Sequence, residues 1–147
     1  MKIAMGCDHG AYEMKEAIKA YLTEQGVTVD DKGTYSKDSV HYPLYAKAVC
    51  KDVQSKDVDF GILICSTGIG ISIAANKHKG IRAALCGDVY SAKFTRLHND
   101  ANVLCLGALV TGLGVAKMIV DTFLATEFEG GRHQKRIDMI TEIENEQ

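Results

Sequence analysis

The sequence predicts an α/β fold in which helices cover both faces of a five-stranded parallel sheet. Short apolar runs alternate with segments of helical periodicity about five times along the chain. One of these runs, Phe60–Cys65, is almost continuously apolar, which is typical of a strand buried on both faces. The chain has 147 residues, 46% of them hydrophobic, which suits one core. We therefore expect a single domain over residues 1–147, Rossmann-like and doubly wound, with a C-terminal helix.

The first half of the chain contains two predicted strands and two predicted helices. Lys2–Cys7 is a short apolar run and forms the first strand. Apolar residues recur at helical spacing over Glu13–Gln25, and Gly26 stands where helices commonly end. Val27–Asp31 is the second predicted strand. Pro43–Ser55 is predicted to be helical, because proline is well tolerated in the first turn of a helix.

The second half of the chain continues the same alternation after the strand Phe60–Cys65. A glycine-rich loop follows that strand and leads into the next helix. The remaining predicted elements are the helix Gly70–Lys77, the strand Ile81–Cys86, the helix Val89–Arg96, the strand Asn102–Leu106 and the helices Leu113–Leu124 and Arg132–Glu144.

The bulk composition excludes several classes of partner. The formal net charge is −2, which indicates neither a nucleic-acid surface nor attraction to an anionic membrane. We expect no signal peptide, and no apolar run reaches the length of a membrane span. Five cysteines without metal-ligand spacing predict free thiols in a cytoplasmic protein.

Three polar segments lie near the ends of predicted strands. Asp8 and His9 follow the first strand, and Cys65–Gly70 follows the third. His98 and Asn99 lie just before the fifth strand. Because ligands of doubly wound sheets bind at the carboxyl ends of the strands, we expect these segments to line one site.

The loop after the third strand consists of Ser66, Thr67, Gly68, Ile69 and Gly70. Both glycines can adopt positive φ and bring backbone N–H groups close to a ligand. The next helix would add unpaired N–H groups and the positive end of its dipole. Such a loop binds phosphate or stabilises an oxyanion, although an ordinary tight turn has the same pattern. The signatures of ATP-binding and dinucleotide-binding loops are absent, so ATP and NAD are not expected.

Cys65 directly precedes this loop. A helix N-terminus lowers the pKa of a thiol, so a thiolate at this position could remove a proton or attack a carbonyl. The alternative is an inert thiol buried at the end of a strand. That alternative applies more strongly to the cysteines that have no such loop beside them, Cys7, Cys50, Cys86 and Cys105.

Two histidines are candidate functional residues. His9 could bind a phosphate while Asp8 holds a sugar hydroxyl; the alternative is an aspartate helix cap followed by a surface histidine. His98 is suited to acid–base chemistry near neutral pH, although a polar turn would also explain the sequence His98-Asn99-Asp100.

Arg132 and Arg136 lie four residues apart and share one face of the predicted C-terminal helix. Two guanidinium groups on one face make a good phosphate clamp, although a solvated basic helix start is the commoner case. Arginines at a helix start oppose the helix dipole, and this local conflict favours a functional role.

These segments together match one family pattern almost from end to end. The most specific parts are Cys65-Ser66-Thr67-Gly68-Ile69-Gly70 and Gly130-Gly131-Arg132-His133. The other parts are Gly6–Gly10, Asp31–Thr34, Tyr42-Pro43, Gly61–Lys77, Gly80–Ala83, His98–Val103 and Glu129–Arg136. The sequence thereby resembles ribose-5-phosphate isomerase B, a family that also includes the galactose-6-phosphate isomerase subunits.

The resemblance implies an aldose–ketose isomerase that acts on a phosphorylated pentose without a metal or cofactor. It implies that Cys65 is the base moving a proton between C1 and C2, while the loop 66–70 stabilises the enediolate with the help of Thr67. It also implies that His98 helps to open the furanose ring. The remaining substrate contacts that it implies are Asp8 and Asn99 for the sugar and His9, Arg132 and Arg136 for the phosphate.

The resemblance also implies a homodimer or a dimer of dimers in which two chains build each site. The C-terminal arginines are then expected to serve the neighbour's site. The sequence departs from the family pattern at two positions. Leu109 stands where members often carry a phosphate-binding arginine, and Ser66 stands where glycine is frequent.

Three alternatives remain open from the sequence alone. The first is an isomerase of a phosphorylated hexose, such as allose 6-phosphate or galactose 6-phosphate. The second is a non-catalytic sugar-phosphate sensor, which the presence of Cys65, Thr67 and His98 disfavours. The third is a thiol redox protein, which the lack of a second cysteine close to Cys65 in sequence disfavours.

Overall fold

The computed structural model describes residues 1–147 and contains one sheet of five parallel strands. The strand order is β2-β1-β3-β5-β4, so β3 lies at the centre of the sheet. The strands are β1 (Lys2–Cys7), β2 (Thr28–Asp31), β3 (Phe60–Cys65), β4 (Ala83–Leu85) and β5 (Val103–Gly107). The predicted Rossmann-like, doubly wound sheet is confirmed.

Six helices connect and follow these strands, and none of them is both long enough and apolar enough to cross a membrane. A short 3₁₀ turn at His9–Ala11 precedes the first of them. The helices are α1 (Tyr12–Glu24), α2 (Tyr42–Gln54), α3 (Ile69–Ala75), α4 (Val89–Asn99), α5 (Leu113–Ala125) and α6 (Arg132–Asn145).

Most predicted bounds agree with the structure to within one or two residues, but one prediction near the site was wrong. His98 and Asn99 belong to the last turn of α4, which runs beyond the predicted end at Arg96. Gly70 lies inside α3, as predicted. Of the two loop glycines that can adopt positive φ, only Gly68 does so, with a φ of 77°.

Two apolar layers hold the helices on the sheet. One layer joins β1, β3 and β5 to α1 and α5, with Ile62, Ile64 and Phe123 fully buried. The other joins the opposite sheet face to α2 and α3. Burial of a side chain of this size stabilises the fold by about 1.5–3 kcal/mol. The central strand β3 contributes buried side chains to both layers, so it is the most firmly held strand. Cys65 and the loop after it are attached to this strand.

The helix α6 is the least embedded element. Only His133 and Ile137 of its fourteen residues are buried. The carboxylate of Glu144 accepts hydrogen bonds from the N–H of Gly80 at 3.0 and 3.1 Å, which ties its far end to the body. Its apolar side chains Met139, Ile140 and Ile143 are all at least 50% exposed. This helix therefore presents an apolar face to the outside of the chain.

A buried lysine fixes the segment between β2 and α2. The Nζ atom of Lys15 on α1 is fully buried and donates to both carboxylate oxygens of Asp31 at 2.7 and 2.8 Å. It also donates to the backbone oxygen of Thr34 at 2.7 Å. Further along this segment, the N–H of Val40 donates to Nδ1 of His9 at 3.2 Å. The segment thus connects the α1–β2 ion pair to a predicted site residue.

Candidate active site

The predicted site residues fall into two groups in the chain. The first group, called here the thiol loop, comprises residues 65–70 together with Asp8 and His9. The second group, called here the histidine cluster, comprises the predicted residues His98 and Arg136 together with Glu129 and His133, which were not among the predicted site residues. Contacts join the members within each group, whereas no hydrogen bond or ion pair joins the two groups.

The thiol loop places Cys65 against backbone N–H groups. The side chain of Cys65 is 5% exposed, and its Sγ accepts a hydrogen bond from the N–H of Gly68 at 3.1 Å. Gly68 is left-handed, and a Cβ there would lie 2.8 Å from the backbone carbon of Leu106. The chain can make this close turn only with glycine at this position.

Three backbone N–H groups of the loop, those of Ser66, Thr67 and Gly70, donate to no acceptor within the protein. The N–H of Ile69 is occupied by Oγ1 of Thr67 at 3.2 Å. Because α3 has only seven residues, these individual N–H groups matter more than the dipole of the helix. They form a short row of donors beside the thiol, as an oxyanion requires.

Gly70 is required for a different reason from the one predicted. A Cβ on this residue would lie 2.7 Å from the ring of Tyr42, which packs against the first turn of α3. The aromatic ring therefore borders the thiol loop on the side of α2. Tyr42 directly precedes Pro43 at the start of α2. It was not among the predicted site residues.

The other four cysteines are in the core, as the sequence predicted. Burial raises the pKa of Cys7 and Cys86 to about 11 and that of Cys50 to about 12. Burial raises the pKa of Cys105 well above its ordinary value, and neighbouring thiols add to the effect. None of these groups is available as a thiolate near neutral pH.

Asp8 and His9 stand next to the thiol loop at the end of β1. Asp8 is 8% exposed, and its carboxylate accepts from the N–H of Gly10 at 3.1 Å. A Cβ on Gly10 would come within 2.5 Å of Oγ of Ser66, so the two segments are in close contact. Because Nδ1 of His9 accepts a hydrogen bond from Val40, the neutral ring carries its proton on Nε2. His9 can therefore donate a hydrogen bond to an anion.

The histidine cluster lies at the junction of α4 and α6. The rings of His98 and His133 are stacked, with centroids 4.1 Å apart and an angle of 16° between their planes. One carboxylate oxygen of Glu129 lies 3.8 Å from Nε2 of His98 and 4.0 Å from Nε2 of His133. Nη1 of Arg136 lies 3.3 Å from Nδ1 of His133. Burial, the neighbouring His98 and the guanidinium groups of Arg132 and Arg136 lower the pKa of His133.

Asn99, Arg132 and Arg136 are exposed near this cluster. Neither arginine forms an ion pair with a carboxylate. Two unpaired guanidinium groups on one helix face are suited to bind a doubly charged group such as a phosphate ester. The two guanidinium groups of the predicted clamp are thus present together on α6.

His98, Glu129 and His133 also satisfy the composition of a metal site, since their ligand atoms lie within 4.8 Å of one another. The geometry does not suit a metal, however. The in-plane lone pairs of two stacked rings run side by side and do not converge on one ion. The guanidinium of Arg136 beside His133 further opposes a bound cation.

Comparison with known proteins places this arrangement in context. A model of the ribose/galactose isomerase family matches residues 3–140. Ribose-5-phosphate isomerase B of Escherichia coli (strain K12) is 56% identical over 143 residues, 97% of this chain and 96% of that protein. Galactose-6-phosphate isomerase subunit LacB of Clostridium acetobutylicum is 42% identical over 137 residues, 93% of this chain and 79% of that protein. The solved structure of Clostridium thermocellum ribose-5-phosphate isomerase B matches with a TM-score of 0.98 and 51% identity over 99% of both chains.

Proposed function

The chain belongs to the ribose/galactose isomerase family, and we propose that it interconverts D-ribose 5-phosphate and D-ribulose 5-phosphate. The relative at 56% identity and the matching solved structures carry the name ribose-5-phosphate isomerase B, whereas the galactose-6-phosphate isomerase subunit is 42% identical, which supports the pentose over the hexose as substrate. The presence of Cys65, Thr67 and His98 argues against a sensor that binds sugar phosphate without turning it over. The burial of the other four thiols argues against a redox pair with Cys65.

One observation carries the proposed mechanism, namely that the thiol of Cys65 adjoins the free N–H groups of its loop. Removing a proton α to a carbonyl needs a base at the carbon and hydrogen-bond donors at the developing oxyanion. Cys65 as the base and the N–H groups of Ser66, Thr67 and Gly70 as donors supply both. The proton moves between C1 and C2 of the same molecule, so the reaction needs no redox cofactor.

The other predicted residues receive roles from their chemistry. Most ribose 5-phosphate is a closed furanose, so a group that moves protons near neutral pH must help to open it, and His98 is suited to this step. Asp8 and Asn99 would hold sugar hydroxyls. His9, Arg132 and Arg136 would bind the phosphate, because each presents N–H donors and the arginines add positive charge.

The separation of the two groups supports a homodimer, or a dimer of dimers, in which each site combines two chains. One chain contributes the thiol loop, and the other contributes the histidine cluster together with Arg132. The exposed apolar face of α6, formed by Met139, Ile140 and Ile143, would be covered in such an assembly. Five unpaired thiols also fit a reducing compartment such as the cytoplasm.

The test is the rate of ribose 5-phosphate conversion by the wild type, Cys65→Ala and Cys50→Ala, with EDTA present throughout. We expect fast conversion by the wild type, a loss of at least about 1,000-fold in Cys65→Ala because the base is gone, and near-normal turnover in Cys50→Ala. Circular dichroism would check that all three proteins are folded. Turnover of allose 6-phosphate or galactose 6-phosphate by the wild type without turnover of the pentose would overturn the proposal.

A further inference from the structure

His133 is buried in a way that a purely structural residue would avoid. Its side chain is 4% exposed, yet Nε2 is a buried nitrogen without a hydrogen-bond partner. A buried polar atom without a partner costs about 1–3 kcal/mol, and such atoms are rare in native structures.

The contacts of His133 join two residues that the proposed reaction uses. Its ring stacks face to face on His98, whose other neighbour is the ring of Phe94 at 5.0 Å and an angle of 70°. Phe94 is in turn stacked on Tyr90 at 4.3 Å. The ring of His98 is therefore held between His133 and an aromatic pair, which fixes its plane.

The other contact of His133 is with the proposed phosphate clamp. A guanidinium group only donates hydrogen bonds, so Nδ1 of His133 accepts from Nη1 of Arg136 at 3.3 Å. In a neutral ring the proton is then on Nε2, on the side where Glu129 lies at 4.0 Å. Burial, the neighbouring His98 and the guanidinium groups of Arg132 and Arg136 lower the pKa of His133, while Glu129 opposes them, and the neutral form is the one that can accept.

We propose that His133 is a positioning residue that fixes His98 by stacking and fixes Arg136 by accepting its hydrogen bond. The inference rests on the proposed pentose phosphate isomerisation. His133 contacts both His98, which opens the sugar ring in the proposed reaction, and Arg136, which binds the phosphate. Ring opening and phosphate binding therefore both depend on the position of His133.

Two variants separate the two contacts. His133→Phe keeps a flat ring beside His98 but loses the acceptor for Arg136. His133→Asn keeps an acceptor near the position of Nδ1 but loses the stacked ring. Gln134→Ala is the matched control, because the exposed side chain of Gln134 on α6 forms a hydrogen bond only with Asp138.

The readouts are net conversion of ribose 5-phosphate and exchange of the C1 hydrogen of ribulose 5-phosphate with D₂O. Ribulose 5-phosphate cannot close into a furanose, because its C5 oxygen carries the phosphate, so exchange needs Cys65 but no ring opening. In His133→Asn we expect kcat for net conversion to fall about tenfold while exchange stays within about twofold of the wild type. In His133→Phe we expect KM for both substrates to rise about tenfold, with the ratio of conversion to exchange unchanged.

A parallel fall of conversion and exchange in His133→Asn would overturn the inference, because general disruption of the fold lowers both rates. Wild-type behaviour of both variants would overturn it as well. Failure of the proposed function looks different. In that case the wild type itself would neither convert ribose 5-phosphate nor exchange the C1 hydrogen of ribulose 5-phosphate.

Discussion

At the scale of single residues, the position of Cys65 distinguishes it from four other thiols that are equally hidden from solvent. All five cysteines are buried, so exposure does not separate them. What separates Cys65 is its place at the end of the central strand, where the chain turns through Gly68 and leaves N–H groups without acceptors. The chemistry of this residue therefore depends on the path of the backbone after it.

Gly68→Ala should damage the loop and the activity together. An alanine in the left-handed region costs about 1–2 kcal/mol. Its Cβ would also lie 2.8 Å from the backbone of Leu106. The backbone cannot move aside as easily as a flexible side chain. The displaced loop should lower kcat about 100-fold, which steady-state kinetics and urea unfolding would measure. Gly114→Ala is the control, because a Cβ there meets no atom within 4 Å; equal effects of both changes would contradict this reasoning.

Leu109 gives a test that should improve the enzyme. Its side chain is 81% exposed, and its N–H donates to the backbone oxygen of Ser66 at 3.0 Å, so it borders the thiol loop. Leu109→Arg should lower KM for ribose 5-phosphate about tenfold, equivalent to ~1.4 kcal/mol, by adding a guanidinium to the phosphate site. The control is Val110→Arg, which adds the same positive charge at the adjacent exposed residue. An equal fall of KM in both variants would indicate general attraction of the substrate.

At the scale of elements, the ion pair of Lys15 and Asp31 joins α1 to β2 and to the segment that leads to His9. Lys15→Met should lower the free energy of unfolding by about 3–5 kcal/mol, because Asp31 and the oxygen of Thr34 lose a buried partner. Lys19 also binds Asp31 but is 31% exposed, so Lys19→Met should cost about 1 kcal/mol or less. Urea denaturation of both variants at pH 7 would measure the difference, and equal losses would contradict the special role of Lys15.

The same pair has a defined pH dependence. Burial alone would raise the pKa of Asp31, but hydrogen bonds from Lys15, Lys19 and the N–H of Gly33 lower it below 3.8. A carboxyl group whose pKa is lowered by folding stabilises the fold above its unfolded pKa and loses that contribution as pH falls through the folded pKa. The difference in stability between wild type and Lys15→Met should therefore be constant above pH 5 and shrink below about pH 3.8. Urea titrations at several pH values would measure it.

The sequence predicted the elements well where hydrophobic periodicity defines them, and less well at their ends. β1 and β3 were predicted with their observed bounds, because each is an apolar run that stops at a polar residue or a glycine-rich loop. The end of α4 was missed because His98 and Asn99 do not continue an apolar stripe. What extends the helix is tertiary: buried Arg96 contacts the ring of Phe60 and bonds Asp100 and Ala101.

The site was predictable to the extent that its residues follow strand ends or family motifs. The thiol loop met both conditions, so its members were identified from the sequence. Glu129 and His133 were part of a quoted motif, but nothing in their local pattern shows that they would meet His98 across two helices. Contacts between residues 30 or more positions apart arise from packing, which periodicity does not encode.

At the scale of the whole molecule, the chain has two groups of candidate site residues with no hydrogen bond or ion pair between them, and a helix with an exposed apolar face. The thiol loop has a base and oxyanion donors but no guanidinium contact. The histidine cluster has cations and a proton-transfer group, and it lies next to α6 with its exposed apolar residues. A two-fold dimer would bring the thiol loop of each chain to the histidine cluster of the other and complete two sites at once.

Mixing two inactive variants would test this arrangement. Cys65→Ala and His98→Asn each remove one essential group, so each protein alone should have almost no activity. In a hybrid dimer, one site would carry both defects and the other would carry neither. After the two proteins are unfolded and refolded together in equal amounts, random pairing should restore about one quarter of the wild-type activity.

The control is a mixture of Cys65→Ala with Thr67→Val, whose defects lie in the same thiol loop. Every hybrid of this pair has one defect in each of its two sites, so mixing should restore nothing beyond the activity of the two variants alone. Light scattering would confirm that the mixed proteins are dimers or tetramers. If Cys65→Ala and His98→Asn remain inactive after mixing while dimers form, each site must lie within a single chain.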